Sequence, residues 1–157
     1  MGRREEFLRW GHAQTMIKKI EHIGVAVKNM DQARHLFGDI LGLPLSKFYE
    51  SEYTKAKVAF FTVGDSTIEL LQPTDSTTVM GKFLERRGEG LHHICLGVER
   101  IEEALDYLAS QGVELIDKKP RKTQDQRLTA FLNPKSTHGV LIELEETGQD
   151  QGKAEKK

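Results

Sequence analysis

Glu21-His22-Ile23-Gly24-Val25-Ala26-Val27 returns later in the chain as His92-His93-Ile94-Cys95-Leu96-Gly97-Val98, and this recurrence decides the fold. Self-similarity over tens of residues means that one supersecondary unit is used twice. Both copies read as strands, and each is followed by a helical segment, NMDQARHLFGDILG in the first half and RIEEALDYLASQG in the second. Met30, Ala33, Leu36 and Phe37 match Ile101, Ala104, Tyr107 and Leu108 at the spacing of a buried helix face. Gly42 and Gly112 then stand where a helix C-cap glycine belongs.

Working outward, residues 57–63 match 128–132 and residues 66–71 match 140–145, all with strand character. A fainter strand precedes each set, around 45–49 and 114–117. Each half therefore reads as strand, helix and three strands. The expected fold is α+β: two tandem βαβββ modules, 17–75 and 91–147, pairing into a cupped, mostly antiparallel sheet with helices outside. Residues 76–90 predict a linker helix, with Val79, Phe83 and Leu84 on one face and Gly88 and Gly90 as its stop. Residues 1–16 read as an N-terminal extension, 17–147 as the domain, and the polar residues 148–157 as a disordered tail.

Composition narrows the function classes. The 157 residues carry 23 Lys+Arg against 24 Asp+Glu, a net charge of -1, so no global cationic field favours nucleic acid. No stretch approaches the roughly 18 apolar residues of a membrane span. The start lacks the continuous apolar run of a secretory signal, and one cysteine, Cys95, cannot form an internal disulfide. A cytoplasmic location is expected.

Alternation places His22, Gly24 and Ala26 on one face of the first strand, and His93, Cys95 and Gly97 on one face of its repeat. Glu69 and Glu143 fall in the middle of the two closing strands, 47 and 50 residues after those histidines. A strand histidine is ordinarily a satisfied packing group, and a Glu on a half-exposed face is ordinarily solvated. Recurrence in register in both halves favours something more. Two imidazoles and two carboxylates suit a divalent first-row metal with open positions, and Cys95 is not counted among the ligands. His92 points to the opposite face from His93, as a packing or supporting group. His12 and His35 receive no role, and His138 reads as a solvated turn residue.

The segments IEHIGVAV, KVAFFTVGDSTIELLQP, GKFLERRGEGLHHICLGV and FLNPKSTHGVLIELEE resemble the vicinal oxygen chelate superfamily (glyoxalase, bleomycin resistance and dioxygenase proteins). Within it, GEGLHHI and PKSTHGVLIELE are similar to the methylmalonyl-CoA epimerases. That resemblance implies metal ligands at His22, Glu69, His93 and Glu143, with Co, Zn, Ni or Mn as the divalent ion. It implies epimerisation of (2R)- and (2S)-methylmalonyl-CoA by proton removal and return at C2, with Glu143 as one base, in a homodimer. A family Glu that would serve as the second proton carrier aligns with Ala59 here, leaving Glu50 and Glu52 as substitutes. Lys118, Lys119 and Lys135 are the basic groups available to CoA phosphates. The same scaffold also carries glyoxalase I-type lactoylglutathione lyases, ring-cleaving dioxygenases and metal-free drug-sequestering proteins. A fourth protein ligand disfavours the dioxygenase, and the repeated His and Glu disfavour the metal-free module.

Overall fold

Ten residues, from Ile17 to Ala26, with burial that alternates from Glu21 onward, form the first strand of the computed structural model, which describes residues 15–148. Apart from Thr15, Met16 and Gly148, the expected extension and tail lie outside the described residues. The elements in order are β1 (Ile17–Ala26), α1 (Met30–Arg34), a π-helical stretch (His35–Ile40), β2 (Leu45–Ser51), β3 (Ala56–Val63), β4 (Ser66–Pro73) and α2 (Val79–Arg87). They continue with β5 (Gly90–Val98), α3 (Ile101–Ser110), β6 (Arg121–Lys122), β7 (Leu128–Leu132), a 3-10 turn (Pro134–Ser136) and β8 (Ile142–Glu146). The fold is α+β and built from βαβββ modules. Two compact units are present: residues 20–95, and the described residues of the segments flanking them.

In the 20–95 unit the strands stand in the order β2-β3-β4-β1-β5. β1 runs parallel to β4 with Gly24 opposite Glu69, and β3 runs antiparallel to β4 with Phe60 opposite the same Glu69. Residues directly opposite share a face. One face carries Val25, Val27, Ala59, Phe61 and Leu70, and it is covered by Met30 and Ala33 of α1 and by Phe37 of the π-helical stretch. The other carries Val58 and Leu71, packed with Tyr49, Phe60 and Met80. His22, Gly24 and Glu69 belong to this second face by register.

The first helix departs from the sequence reading. Its segment, Met30 to Gly42, is one residue longer than its counterpart, Ile101 to Gly112. The extra residue is absorbed as a π-turn, in which Leu41 N–H donates to Leu36 O at 2.9 Å. The wider turn leaves Leu36 44 % exposed, so Leu36 is not on the buried face expected for it. Gly42 closes the segment with φ +71°, the left-handed conformation that glycine adopts without strain.

The linker helix is present as α2, but Val79 is 84 % exposed, and the partly buried Met80 packs against the core in its place. Thr78 caps the helix, its Oγ1 accepting from Gly81 N–H at 3.1 Å. A Cβ on Gly81 would lie 2.6 Å from the Ser76 backbone, so only glycine allows the helix to seat against that turn.

In the other unit, Val98, Ile101, Ala104, Leu105, Ala130, Leu132 and Leu144 form the core, with α3 packed over β7 and β8. The faint strand around 114–117 is reduced to a bridge between Leu115 and Leu132. A side chain replaces a ladder partner there, because the Asp117 carboxylate accepts Phe131 N–H at 2.9 Å. The repeat is visible in the helix starts of both units. Gln72, at the end of β4, accepts Met30 N–H at 2.7 Å, and its sequence equivalent Glu146, at the end of β8, accepts Ile101 N–H at 2.9 Å.

Candidate metal centre

Three side chains from three strands of the 20–95 unit meet at their tips. His22 Nε2 on β1 lies 3.0 Å from His93 Nε2 on β5. Glu69 Oε2 on β4 lies 3.1 Å from His22 Nε2 and 3.3 Å from His93 Nε2. Strand alternation puts each on the face away from α1, and both histidines are buried. Burying a carboxylate costs free energy unless its charge is met. Burial alone would push the Glu69 carboxyl up. Hydrogen bonds and charge from His22 and His93 outweigh that effect and hold it below its ordinary value, so Glu69 is an anion at neutral pH.

The donor set fits a small divalent cation. An ion held at about 2.1 Å by imidazole nitrogen and carboxylate oxygen spaces neighbouring donors of an octahedron about 3.0 Å apart, and those of a tetrahedron a few tenths of an ångström further. The three separations fall in that range. His22, Glu69 and His93 form one of the described groups able to hold a metal ion. Two neutral imidazoles and one carboxylate are the ligand types that Co, Zn, Ni and Mn share.

The surroundings define the site further. A Cβ on Gly24 would stand 2.2 Å from His93 Cε1 and 2.3 Å from its Nδ1, so the imidazole occupies the space a side chain there would take. Phe60 meets the His22 ring edge-on, with centroids 5.9 Å apart. Cys95, fully buried, holds its sulfur within 4.8 Å of a ring nitrogen of His22, so a residue set aside in the sequence reading adjoins the cluster.

His92 departs from the expected facing but not from the expected supporting role. Its Nδ1 lies 2.9 Å from His93 Nδ1, so it faces its neighbour rather than turning to the opposite side. Adjacency in the sequence hides this, because strict alternation separates neighbouring side chains that a turn of χ1 brings together. His35, given no role, is exposed and paired with Asp39 at 2.8 Å.

The other predicted site residues fall elsewhere. Ala59, aligned with a family Glu, is fully buried under α1 in the apolar core, and the β3 side chain that reaches His22 is Phe60. Glu50, in register with Lys57, lies on the same face as Phe48 and thus away from His22. On the His22 face β2 presents Lys47, Tyr49 and Ser51, opposite Phe60, Val58 and Ala56. Glu52 is exposed in the β2–β3 turn. Glu143 belongs to the other unit, buried on β8 opposite Phe131, and Glu145, two residues on, is buried and ion-paired with Arg127.

Comparison with known proteins shows the family. Residues 21–131 match the model of the Glyoxalase/Bleomycin resistance protein/Dioxygenase superfamily. The chain is 38% identical over 135 residues to the uncharacterised protein YqjC of Bacillus subtilis, covering 86% of this chain and 96% of that one. It is 32% identical over 131 residues to the mitochondrial methylmalonyl-CoA epimerase of Dictyostelium discoideum, covering 83% of this chain and 79% of the relative. A crystal structure of methylmalonyl-CoA epimerase from Mycobacterium tuberculosis superposes with a TM-score of 0.78 at 30% identity, covering 84% of this chain and 89% of that one. The chain belongs to the Glyoxalase/Bleomycin resistance protein/Dioxygenase superfamily, also called the vicinal oxygen chelate superfamily. Its relatives include methylmalonyl-CoA epimerases.

Proposed function

We propose that the protein is a metal-dependent methylmalonyl-CoA epimerase. The observation that carries the proposal is the convergence of His22, Glu69 and His93 on one point, in a chain whose relatives are named for that reaction. These three residues hold a divalent cation, which when bound supplies Lewis-acid stabilisation to negative charge developing on substrate oxygens. Anionic Glu69 lowers the net charge of the site, and with no cation bound it accepts hydrogen bonds from the two imidazoles.

The proton to be moved lies between a thioester and a carboxylate, where its removal leaves a planar carbon that can be reprotonated from either side. The proposal assigns one transfer to Glu143 and makes it, as the resemblance implies, a further ligand candidate. Its partner on the opposite side is not Ala59 or Glu50, which face away from His22. The ring of Phe60 packs edge-on against His22. The proposal includes a cytoplasmic homodimer. It is supported in the 20–95 unit by the exposed apolar side chains of Ile40 and Leu41, 64 % and 57 % accessible. Among the described residues no helix is long and apolar enough to cross a membrane.

The test is exchange of the C2 proton of methylmalonyl-CoA for solvent deuterium by the metal-loaded protein, followed by NMR. We expect exchange in the wild type and loss of both metal and exchange in His93→Ala. Turnover of a glutathione hemithioacetal with no exchange would replace the epimerase by a lactoylglutathione lyase on the same scaffold.

A further inference from the structure

We propose that His92 is a positioning residue that sets the tautomer of His93, and that it acts through the bond between their two Nδ1 atoms. The inference rests on the metal-site reading of His22, Glu69 and His93, and it does not depend on which substrate is turned over. His93 is buried, so its ring nitrogens must find partners inside the protein. Its Nε2 faces His22 Nε2 at 3.0 Å and Glu69 Oε2 at 3.3 Å. Its Nδ1 lies 2.9 Å from His92 Nδ1.

Two ring nitrogens at that separation bond only when one carries the proton and the other offers its lone pair. A cation held at His93 Nε2 takes the lone pair there, which puts the proton on His93 Nδ1. The proton is then donated to His92 Nδ1, and the proton of neutral His92 sits on its Nε2. Only this arrangement satisfies the short contact and leaves His93 Nε2 free to ligate. The ring of His92 is in turn held edge-on by Phe83, with centroids 4.7 Å apart and planes at 80°. Helix α2, read from the sequence as a linker, therefore reaches the candidate metal centre through Phe83, His92 and His93.

Two substitutions separate this role from packing. His92→Asn places an acceptor oxygen near the position of Nδ1 but removes the ring that Phe83 contacts. His92→Phe keeps a ring there and removes the acceptor. Co2+ binding to the full chain, followed by its visible absorption, should weaken about 10- to 100-fold in His92→Phe and change no more than about threefold in His92→Asn. Long-range 1H–15N spectra of the Zn2+-loaded wild type should show a His93 Nδ1 proton shifted downfield by its hydrogen bond to His92, with that shift lost in His92→Phe and kept in His92→Asn. The reverse order of the variants, or the lack of a hydrogen-bonded Nδ1 proton on His93 in the Zn2+-loaded wild type, would overturn the proposal. A wild type that takes up no Co2+ defeats the metal-site reading, and the proposal with it. Co2+ affinities and spectra in the expected order, without proton exchange on methylmalonyl-CoA, would leave His92 in its role and remove the epimerase reading instead.

Discussion

At Gly24 the backbone of β1 and the imidazole of His93 occupy adjoining space. A methyl group added there would come within 2.3 Å of two ring atoms, closer than non-bonded atoms approach. The ring is the part able to move, and it is also the part that carries a donor atom of the cluster. Gly24→Ala is therefore expected to leave the fold intact by circular dichroism while weakening Co2+ binding at least tenfold. The identity of a residue with no side chain is thus set by a histidine far away in the sequence. His22 has no such gap beneath it, because the repeat places Cys95 where the first copy has glycine.

At the scale of an element, α2 depends on the turn that precedes it. Asp75 accepts from Thr77 N–H at 2.8 Å and from Thr77 Oγ1 at 2.6 Å, and Lys55 Nζ lies 3.3 Å from its other oxygen. The Thr77 hydroxyl and amide, with the Lys55 ammonium, lower its carboxyl to about 2. The folded value lies below the ordinary one, so the stabilisation is fully present above about pH 4 and is lost as pH falls towards 2. Asp75→Asn should therefore unfold at lower denaturant concentration than the wild type at pH 7, and the gap should close near pH 2, as urea titrations at several pH values would show. Loss of the neighbouring cap in Thr78→Ala should cost about 0.5–2 kcal/mol at every pH, because a hydroxyl does not titrate there. The π-turn after α1 is an element of the same kind: one inserted residue, absorbed within a helix, decides that Leu36 faces outward.

At the scale of the whole molecule, a cation that binds only the folded chain stabilises all of it. Free ion at a hundred times its dissociation constant adds about 2.7 kcal/mol. For a chain of this size that raises the melting temperature by roughly 5–10 °C. Calorimetry with and without Co2+ should show this shift in the wild type and none in His93→Ala. An unchanged midpoint in the wild type would count against a resident metal. A rise in both proteins would place the ion elsewhere.

The repeated strand motif and the helix that follows it determined the βαβββ modules, because strand alternation and helical periodicity are local properties written in short windows. They also marked His22, Glu69 and His93, since a His and a Glu recur in register in both halves. Long-range packing decided the rest. The contact between His92 and His93 depends on side-chain rotation, which the pattern of a strand does not encode. The burial of Ala59 beneath α1 depends on the pairing of β3 with β4, and a pairing shifted by one residue turns a side chain to the other face. Around 114–117 the strand is reduced to a bridge, with the Asp117 carboxylate rather than a main-chain carbonyl accepting the Phe131 N–H, a side-chain contact that strand pattern does not encode. Convergence of three donor atoms within 3.3 Å is a tertiary fact, produced by β1, β4 and β5 lying side by side.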